Sequence, residues 1–434
     1  MIESGGTQEA EALVGVAVVA VRTPPGTPMA GFAARTSPSL GVHDPVTVRA
    51  LLVDDTCWIT VDVCGLHEDT CDAIASQLPI RREAVAITAT HTHSGPCVMP
   101  KRLGGHDAGV LQEVINAVHR AFNRASQTRR AAQLRYATCS RLGIAHNRRH
   151  SDAAVDPELQ LIAFIDRTSR VMACLVLYPC HPVVLGADNL QISGDYPAFL
   201  RNRIEARIPG SVAVFLPGAA GDMNTGHSAE ASYSPGPDPQ RTFASARKIG
   251  EHLGETAAEE VLRTLKSSRA RGSVPTASVS ARRARVSLDL EVLDSQPPAM
   301  LAESWRAAAV GADDGTRALL AAWEQWAHAQ RPESTRHWTG SLSVFSWLDI
   351  TVVGLPGEPF LHTAQQIEAY SRGPVMVTGY TNGCPGYFPT ASEYHSGGYE
   401  VVDAHRYYGM PAPFKQGSAE RLVDVAARLM QPLQ

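Results

Sequence analysis

Apolar positions along the first 65 residues follow a strand-like pattern, and a period near 3.6 takes over in several later segments. Residues 13–21 form a β-branched apolar run, Thr23-Pro24-Pro25-Gly26 marks a turn, and residues 46–53 and 57–63 read as two further strands. The pattern then predicts a short helix over 66–78, a buried strand over 84–90 and a helix over 110–125. Strands follow at 133–138, 159–165 and 171–178, the last two joined through residues 166–170. Next come a helix near 196–207, a strand at 211–216 and a helix from 241, where Ile249, Leu253, Ala257, Val261 and Leu265 share one face. Residues 228–240 read as a surface loop, 271–292 as exposed strand, and 298–329 as helix interrupted at 311–315. The last third alternates strands (342–354 and 374–380) with a helix (360–371) and closes with a helix at 418–430. Such interleaving predicts an α/β fold of mixed β-sheets flanked by helices. No repeat, low-complexity tract or linker divides the chain, so a single domain over residues 1–434 is expected.

Composition narrows the class. With 434 residues, 44% of them hydrophobic, the chain can bury a large core. A net charge of −4 argues against a globally basic nucleic-acid binder. The apolar run 13–21 is far shorter than the roughly 20 residues of a membrane helix, and no basic segment precedes it. Neither a membrane span nor a secretory leader is therefore expected, and the protein reads as cytoplasmic. Eight Cys without a Cys-x-x-Cys pair suggest reduced, mostly buried thiols. Cys57, Cys64 and Cys71 recur every seven residues but cross from strand-like into helix-like sequence, which argues against a shared site. Residues 120–149 hold eight Arg and no Asp or Glu. A solvated surface accounts for them; the other reading is a positive rim for an anionic substrate, with Arg148 and Arg149 innermost.

The strongest local chemistry is His91-x-His93 at the end of a buried strand. Alternation would put both imidazoles on one face, and neutral imidazole is a favoured zinc ligand. Taken alone, the pair is more readily two capping or surface histidines. His181 and Glu358 also stand just past apolar strands, so three such residues suggest a convergent site. Two known His-x-His patterns fit poorly. The metallo-β-lactamase type needs an Asp-His pair where Ser94-Gly95-Pro96 stands, and the amidohydrolase barrels need His-x-His on the first strand.

The string Thr88-Ala89-Thr90-His91-Thr92-His93-Ser94-Gly95-Pro96 resembles the signature of the neutral/alkaline, non-lysosomal ceramidases and their bacterial relatives. The likeness continues in order. It runs through the Thr-Pro-Pro turn and Gly31-x-x-x-Arg35, then Asn147-Arg148, then His181-Pro182 with Asn189 and Gly194-Asp195. Gly221-Asp222, Pro356-x-Glu358 and the tyrosine-rich block 382–400 complete it. The resemblance implies a ceramidase-like catalytic domain holding one zinc ion on His91, His181, Glu358 and Tyr387. It also implies that Tyr399, Arg148 and His93 surround the reacting carbonyl, with His93 as proton shuttle. Asp195 or Asp222 would orient a ligand imidazole.

Three departures bear on substrate. Asn224 stands two residues after Gly221-Asp222's Asp, where ceramide-cleaving members carry Ser, which excludes a serine acyl-enzyme at that point. Residues 97–102 lack the aromatic-rich stretch of ceramidases, and a C-terminal β-sandwich after the tyrosine block is not expected. The expected activity is therefore zinc-dependent hydrolysis of a small, soluble linear N-acyl amide in place of ceramide. Acyl transfer, amide formation or cyclisation in small-molecule biosynthesis would use the same site, and a catalytically silent metal-binding relative is the third reading.

Overall fold

The computed structural model describes residues 10–102, 105–152, 155–228, 238–266, 278–293, 296–330 and 336–431. Eight strands form the larger sheet: Ala12–Ala20 (β1), Thr47–Val53 (β2), Thr56–Val61 (β3), Val85–Ala89 (β4), Arg130–Cys139 (β5), Leu159–Asp166 (β6), Val171–Leu177 (β7) and Val212–Leu216 (β8). Their order is β8-β7-β6-β5-β1-β2-β3-β4, with β3–β4 and β7–β8 parallel and the other pairs antiparallel. A second sheet contains Val279–Asp289 (β9), His337–Trp347 (β10), Ile350–Gly354 (β11) and Val375–Thr378 (β12) in that order. The mixed sheets and flanking helices expected from the sequence are present.

Two-sided burial explains the near-continuous apolar runs. In β2, Val48, Ala50 and Leu52 face one core while Leu51 and Val53 face another. The first core is closed by Glu68–Gln77 (α1) and Ala108–Gln127 (α2). Tyr196–Arg207 (α3) and Phe243–Lys266 (α4) cover the same sheet over β6, β7 and β8. On the opposite face, Trp58, Phe164 and Leu175 pack against Phe345, Trp347 and Met376 of the second sheet. That sheet's outer face is covered by Leu361–Glu368 (α7) and Ser418–Met430 (α9). The layers thus run helices, sheet, sheet, helices. Pro298–Ala308 (α5) and Asp314–Ala329 (α6) form a hairpin between β9 and β10. Three tryptophans, Trp305, Trp323 and Trp326, surround the Arg406 guanidinium at 4.8–5.4 Å and pin that hairpin to the rest.

The two halves of the larger sheet meet through only three residue pairs, Ala12–Val14 against residues 130–132, although β1–β2 pair over seven. This weak hinge in the pairing lets the halves turn toward each other. Arg49 on β2 reaches the Ala213 carbonyl on β8 at 2.7 Å, and Asp62 just past β3 pairs with Arg201 on α3. Polar contacts therefore tie together what the sheet joins only at a corner.

Two expectations need correction. Residues 342–354 are not one strand but a tight hairpin, because Leu348 turns the chain at φ +59°. The stretch expected as exposed strand is β9, whose Val286 and Leu288 are buried against β10 and α9 and whose Ala281 is buried between the two sheets; residues 271–277 lie outside the described residues. Of the expected loop 228–240, residues 229–237 also lie outside them.

Close approach of α3 and α4 depends on glycine. A Cβ on Gly250 would lie 2.4 Å from the Tyr196 carbonyl oxygen and 2.6 Å from Phe199 Cβ. Gly250→Ala should lower unfolding free energy by about 1–3 kcal/mol, since the overpacking outweighs the gain in helix propensity. Urea denaturation tests this, and an unchanged midpoint would contradict it.

Candidate active site

His91 follows β4, His181 follows β7 and Glu358 follows β11, and the three side chains meet in the interior. His181 Nε2 lies 2.9 Å and His91 Nε2 3.3 Å from the same Glu358 oxygen, Oε2. The histidine pair is not aligned by strand alternation as expected. Strand β4 ends at Ala89, and His91 itself takes a left-handed turn at φ +64° that brings its Nε2 to 3.2 Å from His93 Nε2. Such a conformation in a non-glycine residue marks a constrained position. Gly357, at φ +58° with Gly386 O only 2.4 Å from where its Cβ would stand, makes the turn that delivers Glu358.

The hydrogen bonds fix the imidazole tautomers. His91 Nδ1 lies 2.5 Å from the Cys64 carbonyl, and His181 Nδ1 lies 2.5 Å from that of Ala220 and 3.2 Å from that of Met223. Carbonyl oxygens only accept, so both Nδ1 atoms carry hydrogen and a neutral ring leaves Nε2 as a bare acceptor. Two such acceptors then face a carboxylate oxygen in a fully buried cluster. The arrangement is balanced only by positive charge: an extra proton or a metal cation. Burial resists a proton on His91, yet Glu358 and the Cys64 thiol draw its pKa up to about 10. Burial and Arg148 push His181 down to about 4. Burial opposes ionisation of Glu358, but His91 and His181 hold it well below the usual carboxylate range. The donor set suits a divalent cation. Among the described residues, donor atoms of Cys64, His91 and His93, and of His91, Glu358 and Cys384, also lie within 4.8 Å of one another.

Tyr387 sits beside Glu358 as its partner in a two-residue parallel pairing, and its ring stacks on His181 at 6.4 Å. Its hydroxyl accepts from Arg148 Nη2 at 3.0 Å. Arg148 Nε donates to Glu400 at 2.8 Å, and Arg149 binds Glu400 at 2.6 Å and Glu393 at 2.9 Å. The two guanidiniums expected at the inside of a positive rim are thus matched with carboxylates. Tyr399, the first residue of the short helix Tyr399–Val402 (α8), packs edge-on to Tyr387 at 5.7 Å. His93 stands against Phe32 at 5.0 Å, and its Nδ1 has no hydrogen-bond partner among the described residues. Burial, then His91 and His181, keep the His93 pKa well below its usual value.

Neither aspartate orients a ligand histidine, which corrects that expectation. Asp195 caps α3 through the Tyr196 amide and holds the Leu185 amide. Asp222 accepts from Asn147 Nδ2 at 2.9 Å and from the Leu361 amide at 2.8 Å, while its own carbonyl takes the Arg148 amide. Backbone carbonyls do the orienting in their place. Asn224 binds the Gly226 and His227 amides and shapes a turn.

Sequence reasoning missed Tyr408, Tyr380 and Cys64. The Tyr408 hydroxyl donates to Glu358 Oε1, and the Tyr380 ring stacks on His91 at 4.2 Å. Cys64 Sγ lies 3.9 Å from His91 Nδ1. The Tyr407-Tyr408 pair just beyond the tyrosine-rich block was the available signal. Cys57, Cys64 and Cys71 occupy a strand, a loop and a helix respectively, as their sequence context indicates.

The family model for the neutral/alkaline non-lysosomal ceramidase N-terminal region matches residues 13–325. The chain belongs to the neutral/alkaline non-lysosomal ceramidase family. The neutral ceramidase of Pseudomonas aeruginosa is 21% identical over an alignment covering 93% of this chain and 70% of that protein. The crystal structure of the Pseudomonas aeruginosa neutral ceramidase superposes with a TM-score of 0.72 at 16% identity, covering 98% of this chain and 76% of the other. A ceramidase complexed with C2 gives 0.71 at 17% identity, with the same coverage. The chain is therefore a ceramidase-family hydrolase with the ceramidase fold. No helix among the described residues is long and apolar enough to cross a membrane.

Proposed function

We propose that this chain is a zinc-dependent amidohydrolase that cleaves a small linear N-acyl amide into an acid and an amine. The observation that carries the reading is the convergence of His91 Nε2, His181 Nε2 and Glu358 Oε2 in a buried cluster, both Nδ1 atoms being committed to carbonyls. With Tyr387 beside them, these residues would hold the metal. A zinc ion there supplies Lewis acidity and lowers the pKa of water toward about 7.

The protein's own groups account for the remaining steps. His93, neutral and with its Nε2 turned to the cluster 3.2 Å from His91 Nε2, accepts the proton of the attacking water and passes it to the departing amine. Arg148 and Tyr399 donate toward the carbonyl oxygen as it gains charge. Glu400 fixes the guanidinium of Arg148 in place, so little reorganisation is required. A serine acyl-enzyme at this point is excluded, because the position after Gly221-Asp222-Met223 is an asparagine engaged in a turn.

Metal analysis of the purified protein beside a His91→Ala variant tests the proposal. About one zinc per chain, lost in the variant, is the expected result. A wild type that stays metal-free when zinc is supplied would overturn it.

A further inference from the structure

A cleft of about 500 Å³ opens on the His93 side of the site. Its walls are apolar and small: Met29 and Phe32 on one side, and Ala318, Ala321 and Ala322 of helix α6 on the other. Among the described residues of its lining, two are arginines, Arg35 and Arg102, and none is Asp or Glu. In a chain whose net charge is −4, this lining is locally positive, and Asp188 answers Arg35 alone.

The two arginines differ. Arg35 spends its guanidinium on the carbonyls of Ala30, His93 and Gly186 at 2.8–2.9 Å, so it builds the wall. Arg102 has softer company: Nη1 lies 3.4 Å from Cys64 Sγ, and the guanidinium stands over the Tyr408 ring at 4.7 Å. No carboxylate of the described residues lies within ion-pair distance of it. Cys64 and Tyr408 are the same residues that touch His91 and Glu358. Arg102 is thus one side chain removed from the cation cluster, on the cleft side, with Cys64 and Tyr408 but no carboxylate of the described residues against its charge. A partly buried guanidinium in that setting is stabilised by an anion, and its planar fork matches a carboxylate.

We propose that Arg102 selects a substrate carrying a carboxylate on its amine portion, so that the N-acyl amide is an N-acyl amino acid. The proposal rests on the amidohydrolase reading above for the direction in which the substrate lies. There His93 protonates the leaving amine, and the cleft beside His93 therefore receives the amine half. The carboxylate of an N-acyl amino acid is only a few bonds from its scissile carbon, which suits an arginine this near the reacting centre. The cleft's volume and small apolar walls accommodate an amino acid side chain.

Binding tests this apart from turnover. Hexanesulfonylglycine and hexanesulfonylglycinamide differ in charge and carry a sulfonyl group in place of the cleavable carbonyl. Calorimetry on the zinc-loaded wild type should show the carboxylate bound roughly 10- to 100-fold more tightly than the carboxamide, the range of a charge-assisted hydrogen bond. Arg102→Gln should bring the ratio near one, and Arg102→Lys, which keeps the charge but not the planar fork, should keep part of it. Parity in the wild type, which needs no variant to fold, overturns the proposal. So does a preference that survives in Arg102→Gln, or equally tight binding of an N-hexylsuccinamate, whose carboxylate lies on the acyl side. Turnover of hexanoylglycine and hexanoylglycinamide separates the two readings. Cleavage of both without preference refutes only the role of Arg102. An Arg102-dependent carboxylate preference with cleavage of neither refutes the hydrolase reading and leaves the binding inference standing.

Discussion

Glu358→Gln is expected to cost roughly a thousandfold or more in kcat/KM against any N-acyl amide the protein cleaves, together with most of its bound metal. The residue is fully buried and accepts from Tyr408 at one oxygen while its other oxygen faces both His91 and His181. Glutamine keeps the shape but removes the negative charge, and it places an amide donor or a neutral oxygen where two bare Nε2 atoms converge. Loss of an outer-shell partner to a metal ligand typically costs 10- to 100-fold, so loss of a charged ligand should exceed that range. Lewis-acid stabilisation worth several kcal/mol leaves with the cation, and each 1.4 kcal/mol is about tenfold in rate. Metal content by plasma emission and turnover of a short N-acyl amide provide the check. A variant that keeps a full equivalent of metal and activity within tenfold of wild type would remove Glu358 from the site. Unchanged circular dichroism would show that the fold survived.

Much of this architecture is written in hydrophobic period and punctuation. The helix over 196–207 coincides with α3, which Asp195 caps, and the closing helix at 418–430 coincides with α9, whose apolar stripe begins just after Gly417. Motif order placed His91, His181, Glu358 and Tyr387 near one another, although they are separated by up to 296 positions in the chain. What the sequence could not supply were features created by tertiary contact. Strand alternation was the wrong reason for the His91–His93 proximity, since the left-handed backbone at His91 depends on its surroundings. Carbonyl oxygens of Cys64 and Ala220 orient the imidazoles, and a backbone carbonyl has no signature in a side-chain pattern. The Arg-rich segment likewise changed meaning, because the partners of Arg148 and Arg149 lie some 250 residues away at Glu393 and Glu400. Arg102 shows the reverse case: a single basic residue becomes notable only when the folded cleft provides it with no acid.

Arg201→Met should destabilise the fold by about 3–5 kcal/mol at neutral pH, the largest stability effect expected of any single exchange discussed. Asp62 is buried and accepts two bonds from Arg201 at 2.6 and 2.7 Å, two from Thr47 at 2.7 and 2.8 Å, and one from Thr90 at 3.1 Å. Removing the guanidinium leaves a carboxylate in the interior with its main counter-charge gone, and Arg49 nearby compensates only in part. The pair also spans the two halves of the larger sheet, Asp62 following β3 and Arg201 lying on α3, so the damage reaches the approach of His91 to His181. The sign of the pH dependence follows from the wild-type carboxylate. Burial acts to raise its pKa, but Arg201 and Thr47 hold it below the ordinary value. Its stabilisation is therefore complete above the unfolded pKa of about 3.9 and is lost as pH falls through the lower folded value. In Arg201→Met the unpaired carboxyl takes up a proton at higher pH, which relieves the buried charge. The gap between the two proteins should accordingly be widest near pH 7 and narrow steadily toward pH 4. Urea unfolding across that range measures it, and a gap that stays constant or widens in acid would contradict the role given to this ion pair.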